Sequence, residues 1–177
     1  MIKSELWDIR GHWLRLSMSC VGLRRERGDA LVELALVLSL LGVPLLIGTA
    51  DMGFVVYDSI EVANAAHAAA LYGMQSSTYA ANSSGMIAAA QAEASDFGTA
   101  LGVTPIPYYA CSSAIGGTQY TGSNAQANAT SACTGGTNHA LEFVQVNTSV
   151  TVTPPIHLPG ISKSFTVAGS SVMEVEQ

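Results

Sequence analysis

The chain has 177 residues, of which 49% are hydrophobic, and its formal net charge at pH 7 is −6; this length suits one anchored domain of modest size. The charge is uneven, because residues 1–28 hold six basic and three acidic side chains, whereas the rest of the chain holds ten acidic side chains and one lysine. A segment with a single lysine has no basic patch, which argues strongly against nucleic-acid binding as its function.

Residues 1–28 are predicted to form a cytoplasmic leader. Three arginines, Arg24, Arg25 and Arg27, stand directly before Gly28. Positive charge beside an apolar segment favours the cytoplasmic side of a membrane, so we expect the N-terminus inside the cell and the C-terminal part outside the cytoplasm. A start at either Met1 or Met18 would keep this basic cluster.

An apolar run follows the leader and reaches Ala50, with the carboxylate of Glu33 inside it. A helix needs roughly 20 apolar residues to cross a bilayer core about 30 Å thick, and this run has that length. Insertion of its leucines, valines and isoleucines outweighs the cost of one acid, which is about 3 kcal/mol at the bilayer centre and less near an end. The run is therefore predicted to span a membrane, and Pro44 predicts either a kink or a tolerated irregularity within it.

The helix is predicted to continue past Ala50 as a stem that stops near Gly73. Polar residues appear among the apolar ones in this part, and its many alanines favour helix and allow close approach of another backbone. From Asp29 to Leu71 such a helix would be about 65 Å long. His67 is interpreted as a surface residue of the stem and not as a ligand.

Composition leaves three interpretations of the apolar run open. It is an uncleaved signal anchor, a secretory signal peptide cut after Ala50, or the retained part of a prepilin that is cut between Gly28 and Asp29. A signal peptide has an apolar core of about 7–15 residues, and this run is longer. In the prepilin interpretation Asp29 is the first mature residue and Glu33 the fifth, which is the prepilin spacing.

The N-terminal segment of the TadE-like family resembles residues 24–73 of this chain, RRERGDALVELALVLSLLGVPLLIGTADMGFVVYDSIEVANAAHAAALYG. The resemblance implies a minor pilin, or pseudopilin, of the Tad (tight adherence) pilus, cut by a prepilin peptidase at Gly28 and Asp29. It also implies a single-pass inner-membrane protein that enters the pilus. The implied partners are membrane lipid, the major pilin, other minor pilins, an assembly ATPase and the inner-membrane assembly platform. One departure is His67, which stands where arginine is expected.

Glu33 has a specific predicted role after cleavage. The cut would expose an α-amino group on Asp29, and the Glu33 carboxylate of one subunit could pair with the amine of its neighbour. This pairing would satisfy two charges at the membrane interface and set the axial register of assembly.

The exported part, residues 76–177, is predicted to begin with a polar loop at 76–84 and a second helix at 85–101, with Ser84 as its cap. Residues 102–136 are rich in Gly, Ser, Thr and Asn and predict an irregular, exposed region. Cys111 and Cys133 lie in it, and a lone pair of cysteines in an exported chain is most simply a disulfide. Zinc bound by these cysteines with His139 and His157 is the alternative, although the spacing matches no standard zinc pattern.

The last third of the chain changes to strand periodicity. Residues 143–152 predict one long strand or two short ones, and residues 165–175 predict a returning strand with a possible break at Gly169. The expected fold is α+β: a long transmembrane and stem helix at 29–75, a second short helix, and a small antiparallel sheet with a disulfide-closed loop.

The sequence contains no catalytic motif of the GxSxG, HExxH or CxxC kind and no phosphate loop. We therefore expect no enzyme, no cofactor and no bound metal. Two functions remain: a minor pilin with a structural role in pilus assembly and surface adherence, or an uncleaved membrane-anchored module that binds or adheres outside the cytoplasm. Leader cleavage distinguishes them, because a simple anchored receptor needs none.

Overall fold

The structure is a computed structural model that describes residues 28–113, 116–156 and 162–176. The predicted leader at residues 1–27 and the candidate zinc ligand His157 lie outside these residues. The chain divides into two compact units between Ala50 and Asp51. The described elements are, in chain order, α1 (Gly28–Gly73), α2 (Ser77–Ala80), α3 (Ser83–Glu93), β1 (Gly102–Cys111), α4 (Ala125–Ala132), β2 (Ala140–Val152) and β3 (Phe165–Glu174).

The first unit contains the apolar part of α1. This helix is long and apolar enough to cross a membrane, which is consistent with the prediction that the apolar run spans one. The irregularity predicted at Pro44 takes the form of a π-turn at Leu38–Gly42, which ends two residues before the proline. A proline has no N–H to donate to the carbonyl four residues earlier and its ring crowds that carbonyl, and a wider turn is one known way for a helix to absorb such a break.

In the second unit the rest of α1 packs against a three-stranded antiparallel sheet with the strand order β1-β2-β3. The helix ends at Gly73, as predicted. Its contact face is built mainly of alanines, and β2 supplies the facing valines. The core members from these two elements are Val62, Ala65, Ala69, Ala70, Val144, Val146, Val150 and Val152.

Two polar or small residues let helix and sheet approach closely. The hydroxyl of Thr148 in β2 is buried and donates a hydrogen bond of 2.8 Å to the backbone carbonyl of Val62 in α1. Gly169 in β3 faces the same turn of the helix, and a methyl group placed there would lie 2.7 Å from the Ala63 Cα atom. The α+β architecture predicted from the sequence is confirmed.

The prediction for residues 102–136 was wrong over much of its length. It missed β1, which pairs with β2 from Gly102↔Ser149 to Cys111↔Ala140, and it missed α4. Pro105 and Pro107 hide the strand signal. They are two residues apart, so the backbone nitrogens of both prolines face the same side of β1, away from β2. An edge strand tolerates proline on that side, because no hydrogen bond to a neighbouring strand is lost there.

Smaller corrections concern the region between α1 and β1. The second helix was predicted at 85–101 but runs from Ser83 to Glu93, and its cap is Asn82, whose side chain accepts a hydrogen bond from the Gly85 amide. The alanine-rich run misled the prediction at its C-terminal end. The loop at 76–84 contains the short helix α2, Ser77–Ala80. In the sheet, β2 is one continuous strand and β3 is unbroken at Gly169.

Candidate functional site

The predicted cleavage and assembly residues occupy the first two turns of α1. Gly28, Asp29 and Glu33 are all exposed, and Asp29 and Glu33 are four residues apart, so they share one face of the helix. The neighbouring apolar side chains Leu31 and Val32 are 68% and 65% exposed. An accessible first turn is what a protease or a neighbouring helix would need to reach these residues.

The hydroxyls within the apolar part of α1 are satisfied by the helix itself. Ser39 donates to the carbonyl of Leu36 at 3.0 Å, and Thr49 donates to the carbonyl of Leu45 at 2.7 Å. Since hydrocarbon offers no hydrogen-bond partners, internal bonds of this kind suit a helix surrounded by lipid.

The disulfide predicted between Cys111 and Cys133 is present, with the two Cα atoms 5.3 Å apart. It joins the end of β1 to the end of α4. With both sulfurs bonded to each other, the zinc alternative loses its two thiolates. Within the residues that the structure describes, no group of three or more His, Cys, Asp or Glu side chains could hold a metal ion.

Close by, α4 covers one end of the sheet. Tyr108 of β1 and Phe143 of β2 stack with their ring centroids 5.5 Å apart and are both buried. Ala125 and Ala129 are the buried residues of α4. The disulfide therefore fixes a helix whose own apolar contribution is two alanine side chains.

A feature that the sequence analysis missed is a recess of about 340 Å³ in the second unit, between α1 and the end of α3. Its acidic lining residues are Glu61 from α1 with Glu93 and Asp96 from the α3 end. One carboxylate oxygen of Glu61, Oε2, is buried without a hydrogen-bond partner. We name this feature the acidic recess; it is lined by Tyr57, Ile60, Glu61, Asn64, Glu93, Ser95 and Asp96.

Glu61 lies beyond the predicted membrane span, in the part of α1 that belongs to the second unit. Its pKa is raised above the ordinary value of 4.5, first because burial removes water from the carboxyl group and then because Asp96, Asp58 and Glu93 repel its charge. The i, i+3 spacing of residues 58 and 61, and of 93 and 96, was visible in the sequence. Their meeting was not, because it depends on how α3 packs beside α1.

These features define a class: a chain with an exposed N-terminal helix able to span a membrane, followed by a disulfide-closed unit of helix and antiparallel sheet. Residues 28–71 match the family model described as TadE-like protein, which confirms the resemblance over 44 of the 177 residues. The match begins at the glycine of the predicted cleavage site and ends within α1. It is consistent with a membrane-anchored protein associated with the Tad pilus. No curated protein and no solved structure matches the chain.

Proposed function

We propose that the protein is a minor pilin of a Tad-type pilus, with a structural role in pilus assembly and surface adherence and no enzymatic activity. The observation that carries the proposal is the TadE-like match at residues 28–71. It starts at Gly28, the last residue of the predicted leader, and otherwise covers only residues that a prepilin retains.

The arrangement of α1 supports this function. Cleavage after Gly28 would leave Asp29 with a free α-amino group at the start of an exposed helix. Glu33, one turn later on the same face, would bring its carboxylate to the amine of the neighbouring subunit. An unpaired charge within the membrane is costly, so this pairing would select one axial register among the many that an apolar helix surface allows.

The partners follow from the same proposal. Prepilin peptidase would cut the chain at the membrane, and the inner-membrane assembly platform with its ATPase would extract it from lipid. The major pilin and other minor pilins would contact the retained helix. The second unit, with its disulfide and its single lysine, would be the acidic head of the pilin and would face the outside of the cell.

The deciding experiment is the intact mass of the protein extracted from membranes of its native host. A chain that begins at Asp29 supports the proposal. A chain that keeps residues before Gly28 would favour the alternative, an uncleaved membrane-anchored module that binds or adheres outside the cytoplasm. A chain that begins at Asp51 would indicate a secreted domain. Either of the last two results contradicts the pilin function.

A further inference from the structure

The surface of α1 remains apolar after the predicted span ends at Ala50. Five large apolar side chains stand between residues 52 and 60, and each is at least half exposed. They belong to the second unit, and none of them is among the residues of its main apolar core. They are Met52 (50% exposed), Phe54 (54%), Val56 (58%), Tyr57 (62%) and Ile60 (57%).

The acidic side chains of the same segment are turned the other way. Asp51 is 9% exposed and Asp58 is half-buried. Val55, which lies between them on the same helix face, packs against the core of the second unit. The first turns after Ala50 thus direct carboxylates toward protein and leave Met52, Phe54 and Val56 exposed, whereas Tyr57 and Ile60 also border the acidic recess. Water is a poor solvent for such a surface, whereas lipid suits it.

The position of Glu33 favours the same conclusion. A bilayer core about 30 Å thick takes about 20 residues of helix. If the core began at Leu31, Glu33 would lie inside it; if it begins at Leu34, Glu33 lies at the cytoplasmic interface and the core ends near Phe54. Tyr57 then falls at the outer interface, where tyrosine is enriched in membrane proteins. Asp51 is the acid within this window, and its side chain is covered by protein.

We infer that lipid covers α1 as far as Tyr57, so that the membrane-contacting surface includes the exposed apolar side chains at residues 52–57 and not residues 31–50 alone. The inference requires a membrane-inserted helix but not a pilus, so it stands or falls separately from the proposed function. The occupant is bilayer lipid because the surface is continuous with the apolar run, and the residues that interrupt this run in the linear sequence are turned toward protein.

Tryptophan fluorescence tests this directly. The two natural tryptophans, Trp7 and Trp13, both lie in the leader. A full-length chain with W7F and W13F therefore has no tryptophan emission of its own. Phe54→Trp and Tyr57→Trp then place one reporter each on the proposed lipid surface. Leu71→Trp is the matched control, because Leu71 is also an exposed residue of α1, at 43%, but lies about 20 Å farther along the helix axis.

The three chains are reconstituted in phosphatidylcholine vesicles at large lipid excess, with bromine on the acyl chains as a quencher in lipid and acrylamide as a quencher in water. We expect bromine to reduce the emission of both reporters roughly twofold, as for groups at interfacial depth, and to leave the Leu71→Trp control unchanged. Acrylamide should quench the control more strongly than either reporter.

Two results would overturn the inference. Reporters that acrylamide quenches as strongly as the control, with no effect of bromine, would place residues 54 and 57 in water and end the span before Asp51. Reporters shielded from both quenchers would show that protein, such as a second copy of the chain, covers this surface in place of lipid. Because both reporter substitutions replace exposed aromatic rings with another aromatic ring, they leave the core of the second unit unchanged.

Discussion

Gly169→Ala should separate α1 from the sheet and destabilise the second unit. The added methyl group would lie 2.7 Å from the Ala63 Cα atom and 2.8 Å from the carbonyl oxygen of Val62, and both of these are backbone atoms that cannot rotate away. It would also lie 2.8 Å from the Thr148 hydroxyl oxygen, which itself donates to that carbonyl. Helix and strand must therefore move apart by several tenths of an ångström, and the buried hydrogen bond lengthens with them.

The expected magnitude combines three effects. Overpacking a core by one methyl group costs about 2 kcal/mol, and weakening the buried hydrogen bond costs about 1 kcal/mol. Replacing glycine by alanine within a strand returns about 1 kcal/mol through the lower entropy of the unfolded chain. The free energy of unfolding should therefore fall by about 2 kcal/mol.

The assay is a urea titration of the full chain in mild detergent, followed by near-ultraviolet circular dichroism of its tyrosines. Gly102→Ala is the matched control, because it makes the same change in an exposed strand position where the new methyl group would lie 3.3 Å from its nearest atom, the carbonyl oxygen of Ser149. The control should lie within about 0.5 kcal/mol of the parent. A Gly169→Ala chain as stable as the control would refute the close helix–sheet contact.

Three further changes test other parts of the chain. Replacing Cys111 and Cys133 together by serine should lower the free energy of unfolding by about 3 kcal/mol on the chain-entropy account, measured by urea titration against the reduced and oxidised parent. Glu61→Gln should stabilise the protein at pH 7 and have little effect near pH 4: the pKa of Glu61 is raised in the folded state, so its favourable contribution exists at low pH and is lost as pH rises. Unchanged melting curves at both pH values would contradict this. Glu33→Ala should leave membrane insertion and cleavage intact but reduce co-purification with the pilus machinery, and incorporation at the parent level would exclude the proposed charge pairing.

The predictions that succeeded depend on signals that are local in sequence. The apolar helix, the stop at Gly73 and the alternation in β2 and β3 each follow from a few neighbouring residues, because a helix and a strand each have their own sequence period. The disulfide was predictable because residues 29–177 contain just one pair of cysteines. These features needed no knowledge of which elements touch.

The failures share a different cause. Strand β1 carries two prolines. Proline is acceptable in a strand at the edge of a sheet, but in the sequence alone it favours the prediction of a loop. The acidic recess depends on where α3 ends, and that helix ends at Glu93 within an alanine-rich composition that favours continuing it. In both cases tertiary position decided between local structures of similar propensity, and the sequence pattern alone does not contain that position.

The distribution of side-chain size around α1 is the reverse of what a water-soluble helix shows. Such a helix turns its large apolar groups toward the core and small or polar groups outward. Beyond Ala50, α1 instead turns alanines toward the sheet and leaves Met52, Phe54 and Tyr57 exposed. Small residues at the contact let Thr148 and Gly169 reach the helix backbone. Helix and sheet are therefore close together, although their contact buries little apolar surface. The large side chains are thus left for a neighbour other than the sheet, and bilayer lipid is the environment in which this arrangement is stable.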